Sequence, residues 1–136
     1  MLRRLCRELV KTAGYAQCWI SLKNGKGNAA LSPLAQAGVP KKSRSTLEPA
    51  LSALMGGNGI TVVRDIPTRP DHSELRLLAQ SWRFGAVALL PLIKGKRVLG
   101  ALGLHAEEPW AFGDSELDPL RVLGRRLTDC FNEKNQ

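Results

Sequence analysis

Apolar and polar residues alternate with the spacing of a helix in three stretches of this chain. The first, residues 1–13, places leucines and a cysteine on one side and mostly arginines on the other, which predicts an amphipathic helix. The second begins at Ser73, a residue type that caps helices, and runs to Arg83. The third begins at Asp114 and predicts a C-terminal helix over residues 114–132. Helices are therefore expected to open and close the domain.

A β-hairpin is predicted just before the last helix. Two apolar runs, Ala86–Ile93 and Val98–His105, flank the turn Lys94-Gly95-Lys96, where glycine can supply the positive φ of a tight connection. Both alternating sets of the first run are apolar, so we expect these strands to be covered on both faces.

Three further strands and one short helix complete the predicted elements. The strands are Tyr15–Leu22, residues 29–37, which contain Pro33 and so suit a sheet edge, and Ile60–Val63. The short helix is predicted over Leu47–Met55. The resulting order predicts a single α+β domain with a largely antiparallel sheet of five to six strands across residues 14–113. We expect the N- and C-terminal helices on one face, and the middle helices and loops on the other.

The composition is that of one ordinary globular domain of 136 residues with an excess of positive charge, +8 at pH 7. The basic residues are spread along the chain and only 5% of residues are aromatic, which favours a solvated surface over a nucleic-acid site. Three cysteines without a CxxC pair suit a reducing compartment, so we expect the cytoplasm. No apolar run approaches the roughly 20 residues of a membrane-spanning helix, and we expect no membrane insertion.

Short motifs along nearly the whole chain resemble those of one known family. In order they are LCRELV (5–10), GYAQCWI (14–20), LAQAG (34–38), TVVRDI (61–66), ALLPL (88–92), RVLGAL (97–102) and FGDSEL (112–117). Their order and spacing are similar to GAF domains of bacterial PAS-linked sensor kinases and cyclic-dinucleotide signalling proteins. The resemblance implies a GAF-like, PAS-related fold and a sensory or regulatory role within a larger signalling protein.

Departures from the family pattern bear on the ligand. Family members of this type usually have a longer segment between the second strand and the next helix, where a glycine-rich turn helps to roof the ligand pocket. Here that segment is only Gly38–Thr46. The signature of cyclic-nucleotide-binding members and the Cys-His pair that anchors bilins are both missing. The shortened roof supports the alternative of a domain that holds no ligand. For the main hypothesis, a sensory module, we expect no cofactor and an unknown small-molecule ligand.

The first strand carries the first candidate ligand-binding residues. Trp19 and Ser21 share one side of it, whereas Cys18 and Ile20 share the other. If the second pair packs on the terminal helices, Trp19 faces the pocket that the resemblance implies; the alternative is that its indole only fills core volume. Trp82 is interpreted as packing the Ser73–Arg83 helix on the sheet, with lining of the pocket as the alternative.

Polar candidates come from strand ends. Arg64 and Asp65 offer an anion clamp with an acceptor beside it, although a local salt bridge is the favoured interpretation. His105 is interpreted as an exposed strand-end histidine, with a group titrating near physiological pH as the alternative. His72 stands near two carboxylates, but the spacing matches no metal template, so we expect no metal. The candidate ligand-binding residues are thus Trp19, Ser21, Arg64, Asp65, Trp82 and His105.

Catalysis is not expected. The chain has no Gly-x-Ser-x-Gly elbow and no evident activated cysteine. One GAF branch reduces free methionine sulfoxide with cysteine thiols, so a thiol-based reductase is the enzymatic alternative. Cys6 and Cys130, however, lie on the apolar stripes of the terminal helices, and Cys18 opposes Trp19 on its strand.

The expected partners follow from the resemblance. It implies a homodimer through the first and last helices, with contacts at flanking positions such as Leu2, Val122 or Leu127, and a neighbouring output domain that receives the signal. Two alternatives remain open at this point. One is a degenerate GAF domain that only dimerises, and the other is a basic surface that binds nucleic acid or another anionic partner, although we expect no nucleic acid.

Overall fold

A computed structural model describes residues 2–23, 31–43, 49–52, 54, 59–68 and 73–134 of the chain. The helices are α1 (Leu2–Lys11), α2 (Pro49–Ser52), α3 (Ser73–Trp82) and α4 (Asp114–Lys134). The strands are β1 (Gln17–Lys23), β2 (Leu31–Ala37), β3 (Thr61–Val63), β4 (Ala86–Lys94) and β5 (Arg97–Ala106). Short 3₁₀ turns lie at Lys41–Ser43 and Ile66–Thr68.

The five strands form one antiparallel sheet in the order β2-β1-β5-β4-β3. This confirms the predicted sheet and places Pro33 in an edge strand, where proline is tolerated. The predicted hairpin is β4 and β5, and Gly95 adopts the positive φ, +60°, that the tight turn requires. The long central strands β5 and β4 hold the middle of the fold.

Two hydrophobic cores lie on opposite faces of this sheet. The α1/α4 face packs the terminal helices on the aliphatic side of the central strands; its buried members include Cys6, Cys18, Ile20, Leu90, Leu92, Leu102, Leu104, Leu117, Leu120 and Leu127. The α3 face packs α2, α3 and the second 3₁₀ turn on the other side; its buried members are Trp19, Val39, Leu51, Val63, Ile66, Leu75, Ala79, Trp82, Phe84, Val87, Leu89 and Ala101. The predicted three-layer α+β fold is therefore confirmed.

The elements differ from prediction mainly in the middle of the chain. The helix expected over Leu47–Met55 is described only as the four-residue α2, and residues 44–48 lie outside the described part. Pro49 stands at the start of α2, where its missing N–H is tolerated. The last helix continues to Lys134, two residues beyond the predicted end at residue 132.

Candidate functional site

Trp19 lies on β1 and points to the α3 face, as strand alternation predicted. Its indole is 2% exposed and lies over Gly103, which is directly opposite on β5. A Cβ atom at position 103 would overlap the indole ring, so only glycine leaves room for Trp19 there. The indole Nε1 donates a hydrogen bond to Nε2 of His105, at 2.8 Å.

His105 is completely buried, which corrects the interpretation of an exposed strand-end histidine. β5 continues to Ala106, and the end of α3 with the following Phe84 covers this part of the strand. The imidazole packs edge-on against the ring of Phe84, with ring centroids 4.2 Å apart, and lies 5.5 Å from the ring of Trp82. Burial lowers the pKa of His105 to about 3, so the imidazole is neutral at physiological pH.

The hydrogen bond from Trp19 fixes the tautomer of this neutral ring. An indole N–H can only donate, so Nε2 of His105 must accept and the ring proton must sit on Nδ1. That Nδ1–H has no acceptor in the described part of the chain. His105 therefore presents a buried donor that the described residues leave unused.

Gln17 presents the complementary atom. It is directly opposite His105 in the β1–β5 ladder and is 4% exposed. Its Nε2 donates to the backbone carbonyl of Trp82 at 2.7 Å, whereas its Oε1 has no described partner. Sequence reasoning missed Gln17, although the same alternation that groups Trp19 with Ser21 also includes position 17.

Ser21 supplies a third unpartnered atom on this side of β1. It faces Ala101, a member of the α3 face, and its buried Oγ has no described hydrogen-bond partner. Burying a polar atom without a hydrogen bond costs roughly 1–3 kcal/mol. Among the described residues, the unpartnered buried side-chain atoms all belong to Gln17, Ser21 and His105, three residues of neighbouring strands on one face of the sheet.

A cavity of about 170 Å³ adjoins this polar cluster. Phe84 lines the cavity and also contacts His105, so this residue links the cavity to the polar cluster. Arg76 brings a cationic group to the cavity from α3. The remaining lining residues are Ile66, Pro67, Ala79 and Gln80.

Arg64 and Asp65 stand apart from this cluster. The Arg64 Nε donates to the carbonyl of Phe112 at 2.7 Å, and its Nη2 lies 3.4 Å from Oδ1 of Asp114. These bonds tie the end of β3 to the start of α4. Asp65 is half-buried and has interactions of its own. The structure therefore brings Trp19, Trp82 and His105 together, with Ser21 two residues along the strand, but engages Arg64 at the start of α4.

The three positions expected at a dimer interface differ in exposure. Val122 on α4 is 47% exposed and Leu2 on α1 is half-buried against the core. Leu127 is only 4% exposed and belongs to the α1/α4 core, which corrects its expected place at a flanking position. Its side chain turns inward because it continues the stripe of Leu117 and Leu120.

The described part of the chain contains neither a metal-binding cluster nor a membrane-spanning helix. No group of histidine, cysteine and carboxylate side chains there is arranged to hold a metal ion, and Asp71 and His72 lie outside those residues. No helix in the described part combines the length and the apolar character needed to cross a membrane.

A five-stranded antiparallel sheet between terminal helices and a middle helix defines a small α+β domain. The GAF domain family model matches residues 1–129, and the chain belongs to the GAF family. No curated protein matched the chain.

Solved structures share this fold. A domain assigned to a two-component sensor histidine kinase protein of Sinorhizobium meliloti 1021 is 15% identical, with a TM-score of 0.77, and the alignment covers 97% of this chain and 89% of that one. A GAF domain region from Geobacter sulfurreducens PCA is 20% identical, with a TM-score of 0.77 and coverage of 96% and 90%.

A free methionine-R-sulfoxide reductase from Neisseria meningitidis, solved with its substrate, has the fold too. It is 21% identical, with a TM-score of 0.73 and coverage of 96% and 75%. At such identities the likeness concerns the fold alone.

Proposed function

We propose that this GAF domain is a non-catalytic sensory or regulatory module that binds a small polar molecule on the α3 face of its sheet. The observation that carries the proposal is the cluster of unpartnered buried polar atoms on Gln17, Ser21 and His105. A stable core rarely leaves such atoms without hydrogen bonds, because each one costs free energy that an apolar residue would not.

The chemistry of the cluster indicates the kind of ligand. Nδ1–H of His105 is a donor and Oε1 of Gln17 is an acceptor, and the two residues are direct neighbours across strands. A group that both accepts and donates, such as a carboxamide or a hydroxyl, complements them. The adjoining cavity offers Arg76 for an anionic end, and the rings of Trp19, Trp82 and Phe84 offer apolar walls.

The route to the cluster passes Phe84. Its ring lines the cavity and also contacts His105, so rotation of this one side chain would open a path from the cavity to the histidine. Occupancy of the α3 face would then shift the central strands, whose opposite sides carry α1 and α4. Such a shift is what a neighbouring output domain would read through the terminal helices.

The proposal is tested by thermal stability against a panel of nucleotides, amino acids and aromatic metabolites. A ligand at 100 times its Kd stabilises the fold by about 2.7 kcal/mol, which a thermal-shift experiment resolves. We expect the ligand to stabilise the wild type and Thr128→Val, a buried change on the α1/α4 face, but not His105→Leu. Equal stabilisation of His105→Leu would mean that the ligand binds elsewhere. If no compound stabilised the wild type, the result would contradict a ligand-sensing function.

A degenerate domain that only dimerises is the second candidate. The near-complete burial of Trp19 over Gly103 favours it, because the indole already occupies this part of the α3 face. In that case the panel would give no shift, while Val122→Glu would lower the apparent mass of the chain in sedimentation experiments. A monomeric wild type would exclude this candidate.

Two further alternatives receive less support. For a thiol reductase, Cys6 and Cys18 lie on the α1/α4 face, opposite the polar cluster. A nucleic-acid-binding function would be supported only by binding that persists at physiological salt, because salt screens the attraction of diffuse positive charge. The free cysteines also suit the reducing cytoplasm that we propose as the location.

A further inference from the structure

A second cavity, of about 240 Å³, lies between α4 and the edge of the sheet. Residues of α4 form one wall, and the second half of β4 with the segment that leads into β3 forms the other. Leu90 of β4, which lines the cavity, belongs to the α1/α4 face. The cavity is therefore separate from the polar cluster around His105, which lies on the opposite face.

Gly124 of α4 creates the space. A Cβ atom at this position would lie 3.6 Å from Cδ2 of Leu90, so a single methyl group would already reach the strand. Because glycine has no side chain, a gap stays open between the helix backbone and β4. The other apolar lining residues are Ile60, Pro91 and Ile93, and no aromatic ring lines the cavity. The cavity thus offers an aliphatic surface.

Two exposed arginines of α4 border this aliphatic surface. Arg121 and Arg125 are four positions apart on the helix, and both line the cavity. Nη1 of Arg121 lies 2.7 Å from Oδ1 of Asp118, which balances one of the two charges. No ion pair of Arg125 occurs among the described residues, and like charges at this helical spacing repel each other. An anion bound between the two guanidinium groups would relieve that repulsion.

The remaining polar side chain of the cavity is already used. The hydroxyl of Thr128 donates to the carbonyl of Gly124 at 2.9 Å, so recognition of an anion falls to the arginines. The N–H groups of a guanidinium match the oxygen atoms of a carboxylate or a phosphate. Pockets for drug-sized ligands usually measure roughly 300–1,000 Å³, so this cavity suits a smaller molecule.

We propose that this cavity binds a small amphipathic anion, an aliphatic chain that ends in a carboxylate or a phosphate. The chain packs on Leu90 in the gap at Gly124, and the head group accepts hydrogen bonds from Arg121 and Arg125. A molecule bound there contacts both α4 and the sheet, so it holds the C-terminal helix against β4. Binding at this site does not depend on a ligand of the α3 face.

The test titrates the isotope-labelled full chain with octanoate, below its micellar concentration, and follows the nuclear magnetic resonance signals of its N–H groups. We expect saturable shifts of the amide signals of Gly59 and Gly124, which line the cavity, and no shift of the indole signal of Trp19. Acetate lacks the chain and octanol lacks the charge, so each should bind at least about tenfold more weakly than octanoate. Octyl phosphate, in a parallel titration, tests the phosphate head group.

Matched variants assign the two parts of the site. Arg125→Gln should weaken octanoate binding about tenfold, whereas Arg126→Gln removes the same charge from an exposed residue outside the cavity and should change the Kd by less than about twofold. Gly124→Met fills the gap and should abolish binding, and circular dichroism checks that it is folded. His105→Leu should bind octanoate as the wild type does, which separates this site from the one proposed on the α3 face.

Several outcomes would overturn the proposal. Equal effects of Arg125→Gln and Arg126→Gln would indicate a general attraction to a basic chain. Shifts centred on the indole of Trp19 instead of Gly124 would place the bound octanoate on the other face. Binding to phosphatidylglycerol vesicles without binding of octanoate or octyl phosphate would indicate a membrane surface as the partner. Since the wild-type titrations need no variant, misfolding of a substituted chain leaves the result interpretable.

Discussion

The two faces of the sheet differ in the side chains that they bury and in whether their buried polar groups are hydrogen-bonded. On the α1/α4 face, aliphatic side chains fill the core, and the buried hydroxyl of Thr128 donates to the carbonyl of Gly124 at 2.9 Å. On the α3 face, aromatic rings surround a histidine, and Gln17, Ser21 and His105 each keep a polar atom without a described partner. The first arrangement maximises stability, whereas the second forgoes some of it. The α1/α4 face thus pairs its buried hydroxyl, whereas the α3 face keeps the polar atoms on which the proposed ligand binding rests.

The largest effect on the free energy of unfolding is expected from a large-to-small change in the aliphatic core. Leu102→Ala on β5 removes a completely buried side chain, and we expect it to lower the free energy of unfolding by about 2–5 kcal/mol. Val122→Ala on the exposed part of α4 is the control and should change it by less than about 0.5 kcal/mol. Urea unfolding monitored by circular dichroism measures both. Similar values for the two variants would mean that the α1/α4 face is not the stabilising core.

The next largest loss of stability is expected from steric overlap with Trp19 on the α3 face. Gly103→Ala places a methyl group in the volume of the Trp19 indole, and we expect a loss of about 1–3 kcal/mol together with a changed tryptophan emission spectrum. Gly124→Ala in α4 is the matched control. Its Cβ would meet Leu90 at an ordinary contact distance of 3.6 Å, so better helix propensity should raise stability by up to about 1 kcal/mol. An equal loss at both positions would contradict the close approach of Trp19 to β5.

The buried histidine makes stability depend on pH. The pKa of His105 is about 3 in the fold and about 6.5 in the unfolded chain, so between these values the unfolded chain binds the extra proton. The free energy of unfolding should therefore fall by about 1 kcal/mol for each pH unit below about 6.

Urea midpoints between pH 7 and pH 5 test this, before most carboxylates titrate. His105→Gln should flatten the dependence, whereas His72→Gln, a change of the other histidine, should keep it. A wild type with no slope in this interval would show that His105 is not buried in solution.

The smallest effect on stability is expected at the unpartnered hydroxyl of Ser21. Ser21→Ala removes a buried Oγ without a described hydrogen bond, so we expect stability to rise by up to about 1 kcal/mol. Thr128→Val removes a hydroxyl that does have a partner and should cost about 1 kcal/mol. Opposite signs in thermal melts would support the contrast between the faces. A loss at Ser21 would mean that a bound water or another group already satisfies its hydroxyl.

How far the sequence predicted the site depends on whether local rules decide the position. Strand alternation correctly placed Trp19 on the face opposite Ile20, because side chains of a strand always alternate. The same rule cannot tell whether the end of a strand is covered. His105 was therefore assigned to the surface, whereas Phe84 and Trp82, which are distant in sequence, bury it.

The hydrogen-bond partners of a long side chain can also lie far away in the sequence. Arg64 was expected to act within its own strand end, but its guanidinium reaches Phe112 and Asp114. Cys6 and Cys18 lie in different elements, so their shared place in the α1/α4 core depends on how α1 packs on β1. Leu127 turns inward because it continues the stripe of Leu117 and Leu120 that packs in the α1/α4 core.

By itself, the sequence determined the elements and the family of this protein. Helical stripes, alternating strands and the Lys-Gly-Lys turn are local patterns, and backbone geometry translates them directly into helices, strands and a hairpin. Only the tertiary structure decided which polar groups are buried without partners in the described part of the chain and which aromatic rings enclose His105. Those properties depend on desolvation and on contacts between residues far apart in the chain, and no local pattern encodes them.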